Sequence, residues 1–301
     1  MPAGLLLGVD GGQTATVAWI ADASGRVLGR GAAGPCNHTK SPGGRRRFVS
    51  ALRESLQAAC READLKRRPR FASACLGFSG GPADKRELAA ELIQAERMLV
   101  TTDAEIALAG ATGGEPGIVV IAGTGSIALG RNRSGRTARA GGWGYLFGDE
   151  GGAFDIARQA LRAALRSEEG WGPKTSLVPR LLRATNCRTI NDALHLFYTE
   201  EWPRDRIAAL APLVSRAAAG GDHAARAVLD GAAASLSELA LAVRRQLFRK
   251  PARAAITHTG GVFESPIVRR AFERRTPSEP ARFPPVLGAL ILAGLRRPPG
   301  C

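Results

Sequence analysis

Two glycine-rich turns, each directly after a short apolar run, are the residues most suited to chemistry. The run at residues 5–9 ends in Asp10-Gly-Gly-Gln-Thr14, and the run at 117–122 ends in Gly123-Thr-Gly-Ser126. Glycine allows positive φ and close approach of the backbone, so bare N–H groups can face phosphate oxygens. One such turn is weak evidence, because Asp-Gly also favours an ordinary hairpin. Two turns of this kind predict a phosphate ligand.

Asp103 lies between an apolar run at residues 98–101 and a helical pattern at 103–110. A carboxylate in such a position can accept the proton of an attacking hydroxyl, as a general base. Asp is also a preferred N-cap residue, so capping is the alternative role. The two roles do not exclude each other.

Two further glycine-rich stretches carry polar or aromatic side chains, Gly141-Gly-Trp-Gly144 and Gly148-Asp-Glu-Gly-Gly152. Asp149 and Glu150 are expected at the start of a helix, where acidic residues are favourable in any case. Trp143, flanked by glycines, is expected either to line a ligand pocket or to pack in the core.

The elements that must position these residues form two similar series. The first half predicts strands at 5–9, 16–20, 27–33, 71–78 and 98–101 and helices at 44–64, 83–95 and 103–110. Its first three strands, joined by turns, predict an antiparallel meander. The second half restarts with strands at 117–122, 126–131 (a continuation or a partner) and 137–140. Helices follow at 154–166, 177–184, 190–198, 204–219, 224–248, 266–275 and 286–295, with a strand at 254–259. The shared opening implies a duplicated architecture.

Length and charge limit the function classes. With 301 residues the chain exceeds what one core usually serves, so two lobes are expected. The net charge is +15, from 42 basic and 27 acidic residues. Arginines spread over Ala-rich helices account for most of it, and no basic run is interleaved with aromatics. Nucleic-acid binding is therefore not expected, and the charge is expected to attract anionic substrates.

Cysteine usage and hydropathy bear on the compartment. None of the five cysteines forms a Cys-x-x-Cys pair, which argues against a zinc site. The odd cysteine count without a signal peptide favours a reducing cytoplasm. No apolar run reaches the roughly 18 residues of a membrane span.

The motifs, taken in order, resemble the BadF/BadG/BcrA/BcrD ATPase family, and within it the N-acetylglucosamine kinases. They are Asp10-Gly-Gly-Gln-Thr14, Thr101-Thr-Asp-Ala104, Gly123-Thr-Gly-Ser126, Gly141-Gly-Trp-Gly144, Gly148-Asp-Glu-Gly151, Gly260-Gly-Val-Phe263 and Pro284-Pro-Val-Leu-Gly-Ala289. The resemblance implies an α/β, two-lobed, actin-like (ribonuclease H-like) fold, with mixed sheets, helices and the nucleotide in the interlobe cleft. Its expected lobes are residues 1–116, joined by a C-terminal helix in 286–301, and residues 117–285.

The resemblance also implies roles for individual residues. ATP phosphates are expected on Gly11, Gly12 and Thr14 and on Gly123, Thr124 and Gly125, the adenosine on Gly260 and Gly261, and Mg²⁺ on Asp10. Asp103 is expected to be the catalytic base. Sugar contacts are expected from Asn37, Asp103, Gly142 and Asp149, whereas the role of His38 stays open. Each role has an alternative. The two glycine turns could be purely structural turns, Gly260 could be part of the entry into a helix, and Asn37 could be an ordinary loop residue.

The implied activity is ATP-dependent transfer of phosphate to the 6-hydroxyl of N-acetylglucosamine or glucosamine. Two alternatives are a non-catalytic sugar- and ATP-binding regulator and an activator-type ATPase of 2-hydroxyacyl-CoA dehydratases. The activator needs cysteines for an iron–sulfur cluster, and the chain has none from residue 123 to 173. The expected partners are small molecules, without nucleic acid or membrane, and a homodimer is left open. Pro35-Cys36 departs from the Ser/Thr of the animal enzymes, and no contact to an N-acetyl group is identifiable.

Overall fold

The structure is a computed structural model that describes residues 4–36, 39, 41–65, 69–248 and 254–296. The chain divides into two compact units. Unit 1 is Met1–Pro116 together with Ala281–Cys301, and unit 2 is Gly117–Pro280.

Unit 1 is a five-stranded mixed sheet with helices. Its elements are β1 (Leu6–Gly11), β2 (Thr16–Ala21), β3 (Val27–Ala33), α1 (Gly44–Glu62), β4 (Arg70–Phe78), α2 (Arg86–Leu92), β5 (Gln94–Thr102), α3 (Asp103–Thr112) and, from the C-terminal segment, the final helix α11 (Pro285–Ala293). The strand order is β3-β2-β1-β4-β5. β1, β2 and β3 pair antiparallel, as the meander prediction states, whereas β4 pairs parallel with β1 and with β5.

Apolar spacing explains how the helices of unit 1 pack on its sheet. In α1, Phe48, Leu52 and Leu56 recur every fourth residue, so they share one buried face. That face covers β2 and β3. On α11, Gly288 lies against the backbone of α3, and a Cβ there would overlap the Ile106 carbonyl oxygen. The two helices therefore approach more closely than larger residues would permit.

Unit 2 repeats this plan with more helices. Its elements are β6 (Gly117–Ala122), β7 (Ser126–Arg131), β8 (Thr137–Gly141), α4 (Ala153–Glu168), α5 (Leu177–Thr185), α6 (Ile190–Leu196), α7 (Arg204–Ala208), α8 (Ala211–Ala219), α9 (His223–Leu247), β9 (Ile256–Thr259), the 3₁₀ helix Gly261–Glu264, α10 (Pro266–Arg275) and β10 (Glu279–Pro280). The sheet order is β10-β9-β6-β7-β8, the reverse of the same pattern. Again three strands form an antiparallel meander and two follow in parallel.

The expected mixed sheets with helices are therefore present in both units, and the duplicated architecture is confirmed. Residues 126–131 are the antiparallel partner of β6, which decides between the two options for this strand. β10, only two residues long, has no counterpart among the predicted strands.

Two predicted helices were wrong in extent. The helix expected over 204–219 is two helices, α7 and α8. The break occurs because Pro212, near the start of α8, has no N–H for the helical hydrogen bond to the preceding turn, and its ring clashes with that turn. The helix expected over 83–95 is limited to α2, because Ile93 is extended and Gln94 already pairs with Arg70 in the sheet.

The final helix is also shorter than the segment 286–301 assigned to it. It ends at Ala293, where Gly294 adopts a positive φ of 111° and stops the helix. Across the described ranges, no helix is sufficiently long and apolar to span a membrane.

Candidate functional site

The ends of the parallel strands of unit 1 bring two carboxylates together. Asp10 lies at the end of β1, next to β4, and Asp103 follows β5 on the other side of β4. The carboxyl ends of parallel strands are where ligands bind in α/β sheets. Burial, with a further contribution from the Asp103 charge, raises the pKa of Asp10 from 3.8 to about 6. The two acids that the sequence singled out therefore interact.

Asp103 is held in a defined orientation by two hydrogen bonds. Ser79 Oγ donates to its Oδ2 at 2.5 Å, and the Ala104 amide donates to its Oδ1 at 2.9 Å. The capping alternative is wrong, because the N-cap of α3 is Thr102, whose hydroxyl accepts from the Glu105 amide at 3.2 Å. Asp103 is the first residue inside the helix, and its half-buried carboxylate has capacity left to accept another hydrogen bond.

The turn after Asp10 is a closed hairpin with an exposed tip. The Gly12 amide donates to the Ala15 carbonyl at 2.9 Å, and Gln13 and Thr14 are exposed. Close packing requires glycine at position 11, because a Cβ there would overlap the Phe78 ring. The hairpin alternative thus describes the turn's shape, and phosphate binding by Gly11, Gly12 and Thr14 stays a prediction.

The same turn is linked to Asp103, the candidate base, through Ser79. The Ser79 amide donates to the Gly11 carbonyl at 3.1 Å, while its hydroxyl holds Asp103. One residue at the end of β4 therefore links the first turn and the candidate base.

The second glycine turn, in unit 2, has bonded carbonyls and two amides that remain free to donate. The first amides of α4 donate to it, Ala153 to Gly123 at 2.8 Å and Phe154 to Thr124 at 3.1 Å. Within the described residues, the amides of Thr124 and Gly125 have no hydrogen-bond partner. Free N–H groups beside a helix N-terminus form a favourable environment for an anion.

Gly260 and Gly261 lie at the same edge of the unit 2 sheet, because β9 pairs parallel with β6. Gly260 has a φ of 107°, and a Cβ there would overlap the Ala122 carbonyl oxygen. It also caps the 3₁₀ helix that starts at Gly261, so the helix-entry alternative describes its local structure. Nothing lies within 4 Å of a Cβ built on Gly261, which leaves that side open.

Asp149 is positioned differently from the prediction. It does not start a helix, because α4 begins at Ala153 with Gly152 as its cap. Asp149 precedes this cap in the left-handed conformation, at φ 63°, and is only 5% exposed. Its Oδ1 accepts from the Ser126 amide at 3.2 Å.

Arg204 is the residue that the sequence analysis missed. Its Nη2 donates to Asp149 Oδ2 and forms an ion pair with that carboxylate. A Cβ on Gly125 would overlap both of these side chains, so the pair packs directly on the second glycine turn. No local pattern signals the pair, because its two residues are 55 positions apart.

The remaining predicted sugar residues have different outcomes. Gly142 is exposed and adopts a φ of 74°, with Ile127 where a Cβ would lie. Trp143 is 64% exposed and has the Arg139 guanidinium 4.5 Å from its ring centroid, so core packing is wrong for it. Asn37 and His38 lie outside the described residues.

The carboxylates of unit 1 fit a magnesium ion that carries a nucleotide. In the described part of the chain, no group of three or more His, Cys, Asp or Glu could hold a metal alone. Mg²⁺ does not require such a cage, because it keeps several waters and binds one or two carboxylates plus substrate phosphates. The raised pKa of Asp10 reflects burial and repulsion that a cation would offset.

Comparisons with known proteins give one consistent result. A family model described as the BadF/BadG/BcrA/BcrD ATPase family matches residues 7–293. A Clostridium acetobutylicum N-acetylmuramic acid/N-acetylglucosamine kinase is 31% identical over 272 residues, and a Dictyostelium discoideum N-acetyl-D-glucosamine kinase is 32% identical over 277; each alignment covers 86% of both chains.

A solved structure agrees with these relatives. A Chromobacterium violaceum protein, itself proposed to be an N-acetylglucosamine kinase, superposes with a TM-score of 0.78 at 28% identity. The match covers 97% of this chain and 99% of the other. The fold class expected from the motifs is therefore confirmed. By the family match across nearly its whole length, and by relatives above 30% identity, this chain belongs to the BadF/BadG/BcrA/BcrD ATPase family.

Proposed function

We propose that the protein is an ATP-dependent amino-sugar kinase that transfers the γ-phosphate to the 6-hydroxyl of N-acetylglucosamine or glucosamine. The observation that carries the proposal is Asp103, a carboxylate oriented by Ser79 beside Asp10. Both curated relatives are kinases of N-acetylated amino sugars by name, which supports the acceptor class. We place the reaction in the cytoplasm, since the described cysteines are free thiols.

Asp103 acts as the general base in this proposal. Phosphoryl transfer depends on positioning and on neutralising charge, and the protein's part is to orient the attacking hydroxyl. Asp103 accepts the hydroxyl proton as the new O–P bond forms and the bond from the γ-phosphorus to the β,γ-bridging oxygen breaks, so that ADP leaves. Ser79 keeps the carboxylate from rotating. Asp149, which pairs with Arg204, accepts hydrogen bonds from other hydroxyls of the sugar.

The glycine turns bind the nucleotide in this proposal. The free amides of Thr124 and Gly125 donate to phosphate oxygens, together with the turn at Gly11, Gly12 and Thr14. Gly260 and Gly261 take the adenosine. Asp10 would hold Mg²⁺, which would supply positive charge to neutralise the charge that develops during transfer.

The deciding experiment measures ADP release with purified protein. The acceptors are hexoses, N-acetylhexosamines, glucosamine, muramic acids and anhydro-sugars, and the phosphorylated position is read from the product. We expect Asp103→Asn to retain sugar binding by calorimetry and to lose roughly 10²- to 10⁴-fold in turnover. Glu105→Gln, an exposed carboxylate of the same helix, is the matched control and should keep full turnover.

Two outcomes would contradict the proposal. Full activity of Asp103→Asn would remove Asp103 from the mechanism. Sugar binding by the wild-type protein without any sugar-dependent ADP release would favour a non-catalytic regulator instead.

A further inference from the structure

The conformation of Asp149 needs support from its surroundings. A non-glycine residue at a φ of 63° is in a region that L-amino acids rarely occupy, and such residues persist only where neighbouring contacts determine them. The Ser126 amide fixes one carboxylate oxygen, and the Gly152 amide bonds the Asp149 carbonyl at 3.0 Å. The second carboxylate oxygen is held only by Arg204 among the described residues.

Arg204 lies next to residues of the unit 2 core. It is the first residue of α7 and follows Trp202, which is buried and stacks on Phe197 with the ring centroids 5.8 Å apart. Its guanidinium also lies over the Tyr145 ring, 5.5 Å from the centroid. The position of this guanidinium is therefore set by the fold, so it can fix the carboxylate it contacts.

The pair also lies on the phosphate turn. Both side chains occupy the space that a Cβ on Gly125 would need, so the position of Asp149 depends on the same backbone as the turn.

We propose that Arg204 is a positioning residue of the acceptor site, which holds the Asp149 carboxylate oriented toward the hydroxyls of the sugar. This inference rests on the proposed function. Arg204 is not a catalytic residue, because its action passes through Asp149.

The test compares Arg204→Gln and Arg204→Lys with the wild-type protein. We expect Arg204→Gln to raise the KM and the calorimetric Kd for the sugar by roughly 10- to 100-fold, the effect of one charge-assisted hydrogen bond. The KM for ATP should stay within about 2-fold, since Asp149 serves the acceptor. Arg204→Lys should recover part of the loss. The control is Arg206→Gln, two residues along the same helix and exposed over Trp202, which should bind sugar like the wild type.

A double-mutant cycle separates positioning from general damage. In an Asp149→Asn background no carboxylate remains to be oriented, so Arg204→Gln should add little to the sugar Kd. Arg204→Lys keeps the positive charge beside Asp149, so it replaces Arg204→Gln in both backgrounds if Arg204→Gln alone fails to fold. An equal effect of Arg204→Gln in both backgrounds would overturn the inference.

The two proposals fail in different ways. If the wild-type protein phosphorylates an amino sugar and the folded Arg204→Gln variant binds that sugar equally well, only the inference about Arg204 is overturned. Wild-type protein that neither binds nor phosphorylates any amino sugar overturns both.

Discussion

Replacing Asp10 by Asn should make the ligand-free protein more stable, and increasingly so as the pH rises. The pKa of Asp10 is raised from 3.8 to about 6 by burial and by Asp103, so the folded state holds its proton more tightly than the unfolded state. A carboxyl of this kind reduces stability when it ionises, and the loss develops between the unfolded and folded pKa values. At about 1.4 kcal/mol per pKa unit, the full cost above pH 6 is roughly 3 kcal/mol.

The assay is urea unfolding of wild type and Asp10→Asn at pH 5 and pH 7.5. At pH 5 the wild-type carboxyl is still mostly protonated when folded, so about half of the cost is present. The stability advantage of Asp10→Asn should therefore grow by roughly 1.5 kcal/mol between the two pH values. Asp22→Asn is the control whose stability difference from wild type should stay constant between these two pH values. The hydrogen bond from Ser24 lowers the pKa of Asp22, so the stabilising contribution of this carboxylate is already complete above its unfolded pKa and is lost only as the pH falls further.

A stability difference between Asp10→Asn and wild type that does not change with pH would refute this reasoning. Mg²⁺ with a nonhydrolysable ATP analogue provides the second arm. If Asp10 holds the metal, Mg²⁺ together with the analogue should stabilise wild type more than Asp10→Asn at pH 7.5, because the cation offsets the buried negative charge of Asp10. Equal stabilisation of both proteins would remove Asp10 from the metal site.

Two further predictions concern single contacts. Ser79→Ala removes the donor that orients Asp103, so kcat should fall by about 10-fold or more. Ser79→Thr keeps a hydroxyl and should retain most activity. An unchanged kcat in the alanine variant would show that Asp103 is oriented by other means. Gly260→Ala should lower the free energy of unfolding by about 1–3 kcal/mol, because alanine is strained at a φ of 107° and its Cβ meets the Ala122 carbonyl, whereas Gly261→Ala, with open space around it, should leave stability unchanged. Urea unfolding of both glycine variants checks this contrast, and equal stabilities would contradict it.

The regular parts of the fold were predictable because each signal is local. Apolar runs ending in glycine turns indicated β1 and β6, and the spacing of Phe48, Leu52 and Leu56 indicated α1. Local patterns are less reliable where two elements meet. The break between α7 and α8 depends on one proline, whereas β10 is too short for any periodic pattern.

The site was predictable to the extent that single residues carry it. Asp10 and Asp103 follow strands, and strand order brings them together. The contact between Arg204 and Asp149 could not be predicted, because it depends on how α7 packs against a turn far away in sequence. The cap of α3 was assigned to Asp103 as an alternative although Thr102 was equally eligible, and only the backbone geometry decides between such neighbours.

The division of unit 1 into two sequence segments has a consequence for how the chain assembles during synthesis. Unit 2 is continuous, so all of Gly117–Pro280 is available before residues 281–296 have been made. α11 packs on α3 and β1, the elements that carry Asp103 and Asp10. On a ribosome that adds roughly 5–20 residues per second, the contacts of α11 with α3 and β1 can form only after all of unit 2 has been made. The surroundings of the candidate base and metal ligand are therefore completed late in synthesis.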